Sequence, residues 1–275
     1  MEPFVLKEKE YFVIDEWAKR HKGLLAGFTT KNGGFSKGSF STMNLGLHVS
    51  DCIEDVQKNR QQMASILDFP LRKWVSAEQT HEMNIEKVTF AEIGRGSLRY
   101  EDSFKRTDGF FTQEKGILTT LCYADCVPLF FLHEKTGVTG IAHAGWKGTV
   151  GGIAIEMVSV FENEGMEKED IQVIIGPSIC KDCYLVDTRV ITFVEKLLED
   201  HGNKPYNQIE DDQYKLDLKQ LNKQLLLKAG IMEENIRTTN LCTSCHDEHF
   251  FSHRRDKGKT GRMMSFLGWK EDLEV

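Results

Sequence analysis

Three segments of the sequence set metal-capable side chains among small or apolar neighbours: E-Q-T-H ending at His81, Y-A-D-C-V-P around Cys126, and A-H-A-G-W-K-G around His143. Two imidazoles and one thiolate suit zinc, and three protein ligands with an exchangeable fourth position mark a catalytic rather than a structural site. A metal so held lowers the pKa of a bound water or polarises a substrate oxygen. The three residues are far apart in sequence and match no compact ligand spacing. They fit equally an ordinary core in which Cys126 packs as a small hydrophobe and the histidines make local hydrogen bonds. A third reading makes Cys126 the nucleophile and His143 the base of a cysteine hydrolase. Metal content separates these readings.

The G-W-K-G turn after His143 precedes an expected helix, so its backbone N–H groups and Lys147 are placed to receive an anion such as phosphate. It is not a P-loop, because G-x-x-x-x-G from Gly140 reaches Gly145 but is followed by Trp146 rather than Lys. Lys147 also reads as a solvated surface lysine. Asp125, beside Cys126, offers a carboxylate for proton transfer, or one that points away and braces a turn. Arg254 and Arg255 follow two phenylalanines, and strand-like alternation turns one of them toward a cleft. A surface salt bridge is the alternative for that pair.

The elements that must position these residues are readable in outline. Ile53 to Leu67 has helical apolar spacing, with Ser50 or Asp51 as a cap. Ile85 to Phe90, Gly109 to Thr112, Gly116 to Cys122, Pro128 to Leu132, Val138 to Ala142 and Ile171 to Ile175 read as short buried strands. Val150 to Phe161, Asp187 to Leu198 and Asp217 to Ala229 read as helices, the last two opening on an Asp suited to a helix N-terminus. The first fifty residues, rich in glycine and small polar residues, predict a loop-rich segment. Central strands with helices before and after imply mixed sheets flanked by helices, in one domain over residues 1–275.

A formal charge of −7 and a pI near 5.8 argue against a broad nucleic-acid footprint. The longest apolar run, Gly116 to His133, is broken by Tyr123, Asp125 and Pro128 and falls short of the roughly 18 residues of a membrane span. The opening M-E-P-F-V-L-K-E-K-E lacks the regions of a secretory signal, so a cytoplasmic location is expected. Seven cysteines there read as thiols, ligands or core residues rather than a disulfide framework. Cys242, Cys245 and His246 spell C-x-x-C-H, but haem attachment would require export. His249 and His253 extend that stretch toward a second zinc site, and Cys180 with Cys183 forms another C-x-x-C pair. The gap between the two pairs far exceeds the about 15–20 residues of a zinc ribbon, which favours free thiols.

At the motifs above the chain resembles the YfiH-like family, also called the laccase-domain or purine nucleoside phosphorylase family. The resemblance spans nearly the whole chain. It rests on T-K-N-G-G-F-S, M-N-L-G-L-H, N-R ending at Arg60, Q-T-H, D-G at Asp108, Y-A-D-C-V-P, A-H-A-G-W-K-G, I-G-P-S-I, C-Y at Cys183, and F-F-S-H-R-R-D followed by T-G-R. One departure is Glu82, where a small residue such as Gly is expected after the first histidine.

The resemblance implies a four-layer α/β/β/α sandwich with mixed β-sheets and a zinc site of His81, Cys126 and His143. It implies phosphorolysis of adenosine, inosine and 5′-methylthioadenosine, with an accompanying adenosine deaminase activity; the partners are then a purine nucleoside and phosphate. Editing of peptidoglycan precursors is an alternative attached to the family. The different-class alternative is a non-catalytic protein that zinc merely braces. Breaking an N-glycosidic bond needs an anionic nucleophile below the sugar and a proton or cation for the departing base. Asn44, Arg60, Asp125, Lys147, Arg254 and Arg255 are the candidate catalytic or substrate-binding residues. The H-x-E and P-C-x-x-C signature of nucleobase deaminases is absent. The laccase name raises copper, but a multicopper oxidase needs more clustered histidines than the nine here, so zinc is the expected metal.

Overall fold

The computed structural model describes residues 2–198 and 203–271. Its strands, in chain order, are β1 (Phe4–Glu8), β2 (Tyr11–Ile14), β3 (Leu24–Thr29), β4 (Trp74–Ser76), β5 (Ile85–Lys87), β6 (Gly109–Thr112), β7 (Leu118–Tyr123) and β8 (Val127–His133). There follow β9 (Val138–Ala144), β10 (Ile171–Ile175), β11 (Leu185–Val186), β12 (Tyr206–Glu210), β13 (Gln213–Leu216), β14 (Ile236–Thr238) and β15 (Met263–Trp269). The α-helices are α1 (Asp15–Arg20), α2 (Ile53–Ile66), α3 (Trp146–Gly151), α4 (Ile153–Asn163), α5 (Thr188–Leu198) and α6 (Leu218–Lys228).

Two six-stranded sheets carry the fold, in the orders β1-β2-β3-β15-β7-β4 and β14-β10-β8-β9-β6-β5. Both are mixed: β4 runs parallel to β7 in the first, while β5 with β6 and β10 with β14 are parallel pairs in the second. A small antiparallel sheet, β11-β13-β12, stands apart from them.

Period-two alternation sorts the strand side chains between two cores. Along β8, Phe130 and Leu132 meet Phe28, Leu121 and Tyr123 of the first sheet. Val127, Leu129 and Phe131 point the other way, onto Ile153, Met157 and Phe161 of α4 and Leu221 and Leu225 of α6. On the far side of the first sheet, Met63 and Ala64 of α2, with Leu67 just after it, pack on Trp74, Leu118, Met264 and Phe266. Helix, sheet, sheet and helix therefore stack as four layers, the α/β/β/α sandwich with mixed sheets. Phe130 is fully buried between the sheets, and truncating such a ring costs about 3–5 kcal/mol.

The expected strand over Gly109 to Thr112 and that over Ile171 to Ile175 coincide with β6 and β10, and the other expected elements differ mainly at their ends. Asp217 caps α6 by accepting from the Gln220 N–H at 2.9 Å, and Asp187 accepts from the Val190 N–H at 3.1 Å. Two expectations are corrected. The first fifty residues are not loop-rich throughout, because Phe4, Phe12, Ile14, Trp17, Leu24 and Phe28 bury themselves and order β1 to β3 with α1. The single helix from Val150 is two, because Gly152 adopts φ 95 and ends α3 before α4 begins. Among the described residues, no helix is long and apolar enough to cross a membrane.

Candidate metal centre and substrate cavity

The centre forms where the chain leaves the first sheet at β7 and enters the second at β8. Cys126 lies on that connection, and Pro128 just beyond it pairs with His143 near the end of β9. His81 comes from the loop between β4 and β5. One ligand atom from each of His81, Cys126 and His143 lies within 4.8 Å of the other two, and the imidazole centroids are 4.7 Å apart. His143 is buried, Cys126 half-buried and His81 exposed to the cavity.

Asp108, immediately before β6, holds the two histidine segments together. Its Oδ1 lies 2.8 Å from His143 Nδ1 and accepts from the His81 N–H at 3.1 Å. Its Oδ2 accepts from the N–H groups of Thr80 at 3.1 Å and Glu82 at 2.9 Å. The Asp108 carbonyl also receives the His143 N–H at 2.7 Å. Burial alone would raise the Asp108 pKa, but its bond to His143 and the N–H donors hold it below the ordinary carboxylate value. Gln79 ties the same loop to β7 by accepting from the Cys122 N–H and donating to the Cys122 carbonyl.

Both ligand-bearing turns hold a non-glycine residue in the left-handed region: His81 at φ 63, and Asp125, next to Cys126, at φ 86. Such backbone costs about 1–3 kcal/mol and persists only where the surroundings fix it. At Gly145 a Cβ would stand 2.9 Å from His81 Cδ2 and 3.0 Å from Cys126 Sγ, so any larger residue there would push the candidate ligands apart.

Burial pushes the Cys126 thiol up and pulls the His143 imidazole down, yet each is shifted the opposite way by the other. His143 and His81 draw the Cys126 pKa down, while the Cys126 thiolate and Asp108 raise that of His143. The cluster therefore favours a thiolate, the form in which cysteine binds metal. With Asp108 occupying Nδ1, His143 keeps Nε2 for an ion, the usual arrangement of a metal-bound histidine. The donor set fits zinc.

Beside the centre opens a cavity of about 500 Å³. Its walls include His48, His253, Lys147, Arg254 and Arg262, with Trp146, Tyr184, Ile179 and Leu218 supplying aromatic and apolar surface. Among the described residues Asp125 is the only carboxylate in the lining, and both its oxygens are engaged: Oδ1 accepts from the Thr243 hydroxyl at 2.6 Å and Oδ2 from the Arg254 N–H at 2.7 Å. In a chain of charge −7 this is a locally cationic recess.

Of the candidates from sequence, Asp125, Lys147 and Arg254 line the cavity. Arg254 donates to the Leu185 carbonyl at 2.6 Å and lies over the Tyr184 ring. Three others have different surroundings. Arg60 is buried, with its guanidinium donating to the carbonyls of Leu45, Gly96 and Ser97. Asn44, also buried, donates to Asp51 and accepts from the N–H groups of Gly46 and Arg262, which positions Arg262. Arg255 bonds Asp256 and the carbonyls of Thr243, Ser244 and Phe250. The segment bearing the two arginines is a turn rather than a strand, so alternation does not place them. Glu82 turns outward to pair with Arg106 at 3.0 Å. Sequence reasoning did not single out Asp108, His48 or Arg262, although each sits in a quoted motif: D-G, M-N-L-G-L-H and T-G-R.

Comparison with known proteins agrees with this architecture. The family described as multi-copper polyphenol oxidoreductase laccase matches residues 25–270. A protein named purine nucleoside phosphorylase YlmD, from Bacillus subtilis, is 46% identical over 98% of this chain and 98% of its own. The crystal structure of a Bacillus licheniformis hypothetical protein, YfiH, aligns with a TM-score of 0.95 at 46% identity, covering 98% of this chain and 100% of that one. YlmD from Geobacillus stearothermophilus aligns with a TM-score of 0.95 at 43% identity, with the same coverage. The chain belongs to this YfiH-like, laccase-domain family.

Proposed function

We propose that the chain is a zinc-dependent purine nucleoside phosphorylase of one catalytic domain, cleaving adenosine, inosine and 5′-methylthioadenosine with phosphate. The observation that carries this reading is the cationic recess with an aromatic wall, opening directly on His81, Cys126 and His143. Relatives named purine nucleoside phosphorylase support it.

Zinc held by the three ligands would supply a Lewis acid and a means of activating water. The chain's own residues do the rest. Arg254, Arg262 and Lys147 offset the charge of phosphate and hold it facing the sugar. Trp146 and Tyr184 give apolar faces on which a purine stacks, leaving the ribose toward the ligands. As the glycosidic bond breaks, the ribose carbon gains the phosphate oxygen, and the base leaves with the bond electrons and takes up the proton that monohydrogen phosphate gives up. Asp125, with both oxygens engaged, serves as a brace between the Cys126 turn and the Arg254 turn rather than as a proton shuttle. Deamination in the same cavity would exchange the amino group of adenosine for water, giving inosine and ammonia.

The same arrangement supports one second reading. A thiolate at Cys126 beside an imidazole oriented by Asp108 is also the constellation of a cysteine hydrolase. His81 has no role in that chemistry, yet it sits as close as the other two. Chelation followed by zinc readdition distinguishes them: the phosphorylase loses and regains activity, whereas a cysteine hydrolase remains active without metal.

A further inference from the structure

Cys180, Cys183, Cys242 and Cys245 lie outside the centre described above. Their four sulfurs all fall within 4.8 Å of one another, although the two C-x-x-C pairs are distant in sequence. We propose that these four thiols hold a second zinc ion, in a closed structural site that clamps the outer wall of the substrate cavity.

The spacing fits a shared ion better than a disulfide. Zinc–sulfur bonds of about 2.3 Å set tetrahedrally place sulfurs about 3.8 Å apart, whereas a disulfide needs about 2.05 Å. Cys180 and Cys183 stand 3.9 Å and 3.4 Å from Cys245. Each pair is formed by a tight turn. Lys181–Cys183 makes one turn of 3₁₀-helix after Cys180, and the Cys245 N–H folds back toward Cys242 Sγ at 3.4 Å. The Cys180 N–H also donates to Cys242 Sγ, at 3.2 Å. Backbone donors aimed at sulfur favour the thiolate that a metal requires.

The loops arrive already joined. Ser178 and Cys242 form an isolated parallel bridge, and the Thr243 N–H donates to the Ser178 carbonyl at 3.1 Å. His246, the last residue of C-x-x-C-H, meets the Cys242 carbonyl through Nδ1 at 3.0 Å and is not one of the four. Lys215 and Lys219 interact electrostatically with cysteines of the cluster, a suitable surround for an anionic tetrathiolate.

Four protein ligands leave no open position, so the role is structural. One clamped loop carries Ile179 and Tyr184 of the cavity wall. The other carries Thr243, whose hydroxyl bonds Asp125 and whose carbonyl receives Arg255. The ion would fix the wall against the turn that bears Arg254, independently of the chemistry assigned to the cavity.

Metal analysis of the full-length Cys126→Ala variant, purified under reducing conditions, tests this. The expected result is one zinc per chain, released by a thiol-binding mercurial, and two per chain in the wild type. Cobalt substitution of the same variant should give the intense sulfur-to-cobalt charge-transfer bands of a tetrathiolate, and Cys183→Ser with Cys245→Ser should abolish them. Native mass measurement covers the case in which that double variant fails to fold. A metal-free Cys126→Ala chain, or one lighter by two hydrogens from a Cys183–Cys245 disulfide, would overturn the proposal.

Discussion

Asp108 Oδ1 lies 2.8 Å from Nδ1 of His143, and the same oxygen accepts the backbone N–H of His81. One carboxylate thus orients the buried histidine and fixes the loop that carries the exposed one. Asp108→Asn keeps the shape but removes the charge and leaves one donor facing donors. Metal affinity should fall about 10–100-fold, read by competition with a chromophoric chelator. An unchanged affinity would show that Asp108 has no part in holding the ligands.

Lys147 is exposed where it lines the cavity, and Arg262, also in the lining, is half-buried with its N–H held by Asn44. If both hold phosphate, Lys147→Ala and Arg262→Gln should each raise the KM for phosphate by about tenfold or more, the loss of a charge-assisted bond worth about 1.5–3 kcal/mol. Zinc content should stay at the wild-type value. Loss of metal in either variant, or an unaltered phosphate KM, would remove that residue from the phosphate site.

His48 lines the cavity with its side chain still open to solvent, and the partial desolvation it meets there, with the guanidinium groups of Arg262 and Arg60, draws its pKa down to about 4. That lies below the roughly 6.5 of an unfolded histidine, so on acidification the unfolded chain takes up the proton first. The stability tied to neutral His48 is complete above pH about 6.5 and is lost as the pH falls through about 4. Thermal midpoints of His48→Gln should fall less steeply than those of the wild type across that window. Parallel curves would contradict the assignment.

How much of this could be read from sequence depended on whether a feature was local. Cys126 stands just before β8 and His143 near the end of β9, both strands rich in apolar residues, so the elements that position them were legible. Asp108 was not, because an Asp-Gly pair before a strand has the look of a turn and its contacts with His81 and His143 are made only in the fold. Arg60 shows the reverse: its type suits phosphate, and nothing local reveals that three carbonyls surround it. The central strands β3 and β15 lacked clear alternation, because residues on both faces are buried, Gly27 and Gly268 among them. The two C-x-x-C pairs are joined by a parallel bridge between loops, which no spacing rule anticipates.

The central claim is that the cavity beside His81, Cys126 and His143 joins phosphate to the ribose of a purine nucleoside. It is tested most directly by incubating zinc-loaded protein with inosine, with and without phosphate, and identifying the sugar released. The account predicts hypoxanthine and ribose 1-phosphate in equal amounts, formed only when phosphate is present and absent with Cys126→Ala. Free ribose, released at the same rate without phosphate, would contradict it.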